Sequence, residues 1–128
     1  MKGSALISIV DDDASIRKAL KRLFISMGFE VTVFSSAEEF LCSRSLHDSA
    51  CLILDLRMPG MSGLELQSVL ISCNRKIPVI FLTAHYDEQA RTQALRAGAI
   101  DFLCKPFVEE SLMRDVNIAV DQHRTNAH

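Results

Sequence analysis

Asp11, Asp12 and Asp13 stand together directly after the apolar run Ala5–Val10 (ALISIV). Asp55 follows a second such run, Cys51–Leu54 (CLIL). Thr83 and Ala84 follow Pro78–Leu82 (PVIFL), and Lys105-Pro106 follows Ile100–Cys104 (IDFLC). If these runs are neighbouring strands, carboxylates from two of them meet in one cleft, with a hydroxyl and an ammonium beside them. Two unit charges about 5 Å apart repel by roughly 3 kcal/mol at an effective dielectric of 20. The cluster therefore needs cations. Lys105 supplies one charge; a hard divalent ion supplies the rest, and Mg²⁺ suits a shell of few carboxylates and several waters. Asp11 and Asp12 suffice for the metal, which leaves Asp55, alone on its loop, free to act as a nucleophile. A carboxylate that attacks phosphorus forms an acyl phosphate. The metal, Lys105, the Thr83 hydroxyl and loop amides would then meet the phosphoryl oxygens, by positioning and electrostatics.

The elements that must position these residues are legible in the same way. Asp13 can cap a helix whose Ile16, Leu20, Leu23, Phe24 and Met27 share one stripe, and Gly28 ends it. Val31–Phe34 is a β-branched run. Ser36 to Glu39 has capping-box spacing before Phe40 and Leu41. Leu64, Leu66, Val69 and Leu70 form a helix behind the loop Asp55–Gly63. Asp87–Ala97 is a polar helix closed by Gly98, and Val108–His123 is a last helix using Leu112, Val116, Ala119 and Val120. Five strands alternating with five helices predict an α/β fold: a doubly wound, five-stranded parallel sheet of order 2-1-3-4-5, covered on both faces. Ligands of such sheets sit outside the carboxyl ends of the strands, at the switch point between the first and third.

The 128 residues are one domain's worth of chain, and 48% of them are hydrophobic, enough for a core without disulfides or a structural metal. Fourteen Lys and Arg against sixteen Asp and Glu argue against direct nucleic-acid binding, which draws on a basic surplus. Cys42, Cys51, Cys73 and Cys104 lack metal-site spacing and read as small hydrophobes of a reduced, cytoplasmic protein. Asp11–Asp13 cuts the first apolar run too short for a signal peptide, and no run suggests a membrane span.

The segments IVDDD (Ile9–Asp13), LDLRMPGMSG (Leu54–Gly63), FLTA (Phe81–Ala84) and AGAIDFLCKPF (Ala97–Phe107), in that order, resemble the receiver domain of two-component response regulators. LDLRMPGMSG and Thr83–His85 are most similar to the FixJ-type group, whose receiver is usually joined to a helix-turn-helix output domain. The resemblance implies a flavodoxin-like receiver fold over residues 1–124, with 125–128 a tail or the start of a linker. It implies that Asp55 is the phosphoacceptor for a partner kinase's phosphohistidine. Asp12 would ligate Mg²⁺ directly, Asp11 largely through water, Asp55 directly, and Arg57 through its backbone carbonyl; Mn²⁺ would substitute. Thr83, with Ala84 beside it, matches the switch hydroxyl, Lys105 the phosphate-binding lysine, and the Lys105–Pro106 bond would be cis. Phe102 stands at the switch aromatic and would turn inward as Thr83 moves toward the phosphate. That motion would remodel the fourth helix, fifth strand and fifth helix, where the family dimerises or meets its output domain. Such a chain is a cytoplasmic switch rather than an enzyme, catalysing only its own phosphorylation and dephosphorylation. Its partners would be a cognate histidine kinase, a second receiver and a C-terminal DNA-binding domain, with no membrane.

Taken singly, the same residues have plainer readings. Asp12 or Asp13 alone is a helix cap, Asp55 a loop residue beside Pro59-Gly60, Thr83 a strand-end hydroxyl and Lys105 a solvated lysine. Their company raises them. His85 reads as a loop residue, and His47, His123 and His128 as surface. Lys18, Lys21 and Arg22 make a solvated basic face, or, by the resemblance, a kinase contact. Three rivals remain open: a small Mg²⁺-dependent phosphatase of haloacid-dehalogenase type using Asp11-x-Asp13, an FMN binder, and a degenerate receiver that only binds proteins.

Overall fold

A computed structural model describes residues 5–126. Its sheet has strands β1 (Leu6–Val10), β2 (Glu30–Phe34), β3 (Ser49–Leu54), β4 (Val79–Thr83) and β5 (Asp101–Cys104). All pair in parallel in the order β2-β1-β3-β4-β5, as the alternation of runs predicts. The central strand β3 is buried along its whole length, because helices cover both of its faces. Residues alternate between two cores. Ile7, Ile9, Cys51, Ile53, Ile80 and Leu82 face one way, with Leu20, Phe24, Leu112 and Val116 of α1 (Ala14–Ser26) and α6 (Glu109–Asn126). Val10, Leu52, Leu54, Phe81 and Phe102 face the other, with α2 (Ala37–Leu41), α4 (Gly63–Ser72) and α5 (Glu88–Arg96).

Among the described residues six helices stand where five are expected. The second one breaks after α2, and a single turn, α3 (Ser45–Asp48), follows. Serine hydroxyls explain the break. Ser43 Oγ donates to the Phe40 carbonyl at 2.7 Å and Ser49 Oγ to the Ser45 carbonyl at 2.6 Å, competing for backbone acceptors. Beneath α3, Ser8 Oγ lies 2.9 Å from Thr32 Oγ1 and 2.5 Å from Ser49 Oγ, and Thr32 Oγ1 lies 3.1 Å from Ser45 Oγ. These hydroxyls join β1, β2, β3 and α3 where aliphatic side chains would otherwise pack.

Caps set the other helices. Asp13 Oδ1 accepts from Ser15 N, Asp87 Oδ1 from Ala90 N, and Ser62 with Glu65 forms a reciprocal capping box on α4. Buried Gln67 of α4 donates through Nε2 to the Ala94 carbonyl of α5 at 3.0 Å. The last helix continues past His123 to Asn126; His128 lies outside the described residues. Of the cysteines only Cys51 is buried. Cys42 and Cys73 occupy helix C-caps and Cys104 the exit of β5, so these three are exposed rather than core filler. Among the described residues no helix is long and apolar enough to cross a membrane.

Candidate functional site

The parallel sheet delivers the carboxyl ends of β1, β3, β4 and β5 to one edge. β1 and β3 are in direct register at Val10↔Leu54, and the ladder continues as Asp55 N donates to Val10 O at 2.9 Å. Asp11 and Asp55 thus leave adjacent strands at the same level. Asp11, Asp12 and Asp55 each bring a carboxylate oxygen within 4.8 Å of the others. Lys105 reaches in from β5, its backbone N–H held by Thr83 O at 2.7 Å. Its Nζ lies 2.8 Å from Asp11 Oδ2 and 3.9 Å from Asp55 Oδ2.

The three carboxylates are not equivalent. Asp11 is buried with both oxygens engaged, Oδ1 accepting from Asp13 N at 2.9 Å and Oδ2 facing Lys105. Asp12 is exposed, with its carboxylate turned to the same cluster. Asp55 is buried, and burial raises its pKa from 3.8 to about 7. The negative charge of Asp11 adds to that rise, Lys105 opposes it, and a hydrogen bond and charge from Asp12 contribute further. Three carboxylates against one ammonium leave the pocket anionic. Its donors are all oxygens, the set a hard divalent cation prefers, so these residues fit Mg²⁺.

Thr83 is fully buried, and its Oγ1 accepts from His85 N at 3.1 Å, so the hydroxyl is tied to its own loop; Ala84 and His85 are exposed. The Lys105–Pro106 bond is cis, as expected. Arg57 pairs its guanidinium with Asp87, Nη2 lying 3.4 Å from Oδ2. Phe102 differs from the expectation of an inward turn. Its ring is already inside, 5% exposed, with its centroid 5.8 Å from that of Phe81. Residue 102 alternates onto the same face as Phe81 in the sheet, and the two rings fill the space under α5 together.

Three residues support the site through contacts that sequence spacing does not display. Arg17 donates from Nη1 to the Asp11 carbonyl at 2.8 Å, and Glu38 Oε2 accepts from Met61 N at 2.9 Å, holding the loop after Asp55. Gly63 lets α4 start against the phosphoacceptor candidate's own backbone: a Cβ there would sit 2.3 Å from Asp55 O. The Ser-Gly before an apolar helix was the only local sign of it; Arg17 and Glu38 act through tertiary contacts that leave no pattern in sequence.

A doubly wound sheet with three carboxylates and a bridging lysine at its switch point defines the class of acidic-pocket α/β domains. The chain belongs to the response regulator receiver domain family, whose pattern matches residues 7–117. It is 43% identical over 120 residues to Nodulation protein W of Bradyrhizobium diazoefficiens, covering 94% of this chain and 53% of that protein. The solved structure of the response regulator StyR matches with a TM-score of 0.91 and 42% identity, over 97% of this chain and 63% of that one. That of FixJ-N matches with a TM-score of 0.82 and 37% identity, over 92% and 94%. The FixJ-type resemblance holds, and the chain spans a little over half the length of curated relatives such as Nodulation protein W. The phosphatase reading is not favoured, and the geometry shows why: Asp13, which it requires in the site, is spent capping α1. Nor is FMN binding, since the pocket's carboxylates would repel a phosphate without a cation.

Proposed function

We propose that this receiver is a Mg²⁺-dependent phosphoacceptor switch in which Asp55 takes a phosphoryl group from a cognate kinase's phosphohistidine. The supporting observation is the meeting of Asp11, Asp12 and Asp55 within 4.8 Å around one lysine. An oxygen of ionised Asp55 attacks phosphorus, the P–O bond forms as the P–N bond breaks, and the leaving imidazole keeps the electron pair and takes up a proton. Asp12, Asp55 and the Arg57 carbonyl would hold the metal, with Asp11 acting through water. The bound cation, Mg²⁺ or Mn²⁺ in its place, supplies positive charge against the nucleophile and the phosphoryl oxygens. Lys105 turns from Asp11 toward a phosphoryl oxygen, and Thr83 redirects its hydroxyl proton from the His85 carbonyl to another such oxygen, with Ala84 following as a loop amide donor.

Because Phe102 is inside already, switching rests on Thr83 and the β4–α5 loop rather than on ring rotation. The readout is the face of α5, β5 and α6, the fourth helix, fifth strand and fifth helix of the sequence reading. There a second receiver or a C-terminal DNA-binding domain docks, in the cytoplasm. Residues 1–124 serve as the receiver, with 125–128 a tail or the start of a linker. The basic face of Lys18, Lys21 and Arg22 on α1 is offered to the kinase.

The test is incubation with Mg²⁺ and acetyl phosphate, followed by intact mass and size-exclusion chromatography. Wild type should gain one phosphoryl group and shift toward dimer; Asp55→Asn should do neither. An adduct that persists in Asp55→Asn would assign the acceptor elsewhere.

A further inference from the structure

Away from the phosphoacceptor pocket, α6 buries a carboxylate that the mechanism does not use. Asp115 is 4% exposed, between Leu112 and Val116 of the packed stripe. Its Oδ2 is sealed from solvent and has no hydrogen-bond partner among the described residues. Arg114 of the same helix comes no nearer than 3.9 Å, to the other oxygen, and its own side chain is largely exposed. From β3 the neighbour is Cys51, a fully buried thiol whose pKa burial drives upward, with the Asp115 charge adding to the rise, so it offers no countercharge. From β4 the apolar Ile80 and Leu82 belong to the same core as Leu112 and Val116. From β5 comes a second carboxyl, that of Asp101, within hydrogen-bonding reach. One oxygen of Asp101 already accepts from Phe102 N at 2.8 Å.

Two ionised carboxylates cannot satisfy each other, since neither has a donor. One proton resolves both problems: it gives the orphaned oxygen a partner, and it turns like-charge repulsion into a short O–H···O⁻ bond. We propose that Asp101 and Asp115 hold a single proton between them, a clasp that fastens α6 to β5 and opens when that proton is lost. Burial, then the hydrogen bond and charge of Asp101, raise Asp115 to about 7, with Arg114 opposing. A carboxyl raised this far binds its proton in the folded chain and loses it in the unfolded one between the ordinary carboxylate range and pH 7. The clasp's contribution is therefore complete below about pH 4 and lost as the pH climbs through about 7. Asp101 sits on β5, three residues upstream of the Thr83↔Cys104 level of the sheet.

The clasp is tested on the whole chain without divalent cations. Thermal unfolding of wild type and Asp115→Asn is followed from pH 5 to 8. The asparagine amide donates to Asp101 at any pH, so the variant should gain on wild type by several degrees as the pH rises, levelling off above pH 7. Any slope from Asp55 is common to both proteins and cancels. Parallel curves would overturn the proposal. Should the variant fail to fold, ¹³C-carboxyl NMR of wild type decides: one of the two carboxyls must titrate near neutrality. If both titrate below pH 5, there is no shared proton.

Discussion

Asp55 concentrates the chemistry of this domain because it is a nucleophile kept under electrostatic stress. Its carboxyl is buried beside Asp11 and only partly relieved by Lys105, which stands 3.9 Å away. A pKa of about 7 instead of 3.8 means that ionising it in the folded chain costs on the order of 4 kcal/mol. The sign follows from the raised value: Asp55 contributes no penalty at low pH, and the full penalty above about 7. Asp55→Asn should therefore unfold several degrees higher than wild type at pH 8 in a metal-free buffer, with the difference shrinking toward pH 5. Equal Tm values at pH 8 would contradict the crowding described here. At this scale the sequence was informative where chemistry and strand ends coincide: Asp11, Asp12, Asp55, Thr83 and Lys105 each follow an apolar run. It was silent on Arg17, Glu38 and Asp115, whose roles exist only once helices have packed. Phe102 was named but its posture was not, because a ring's direction depends on Phe81 and α5 rather than on its neighbours in sequence.

Among the elements, the short α2–α3 region shows what hydrophobic periodicity misses. The capping spacing from Ser36 to Glu39 located the start of α2: Ser36 Oγ accepts from Glu39 N at 3.1 Å, although Glu39 Oε1 accepts from Ser35 N rather than closing the box on Ser36. Its early end was hidden, because Ser43 and Ser49 bond backbone carbonyls while Ser45 and Ser49 meet the hydroxyls of Thr32 and Ser8. The buried hydroxyl cluster should be costly to disturb. Ser8→Ala removes partners of both Thr32 and Ser49, and a stability loss of about 1–3 kcal/mol is expected from urea unfolding, with the slope of the transition unchanged. A neutral result would mean that the remaining hydroxyls re-pair among themselves. The strands, by contrast, were placed to within a residue or two at their carboxyl ends, and in β3 and β4 both faces are buried and the apolar runs are unbroken.

For the molecule as a whole, the sheet order gathers residues as far apart in sequence as Asp11 and Lys105 into one anionic mouth. A ligand that binds only the folded state stabilises it by mass action. Mg²⁺ titration should accordingly raise Tm in a concentration-dependent way, chelation should reverse the gain, and Asp12→Ala should flatten it. A gain unchanged in Asp12→Ala would place the cation elsewhere. The buried bond from Gln67 to the Ala94 carbonyl has a wider consequence. Since α4 begins on Gly63, pressed against the Asp55 backbone, a nudge to that loop does not dissipate in a flexible hinge. The two helices behave as a pair of braced beams, and a sub-ångström displacement at the reactive end can arrive at the far side of the protein as a tilt of its outer wall.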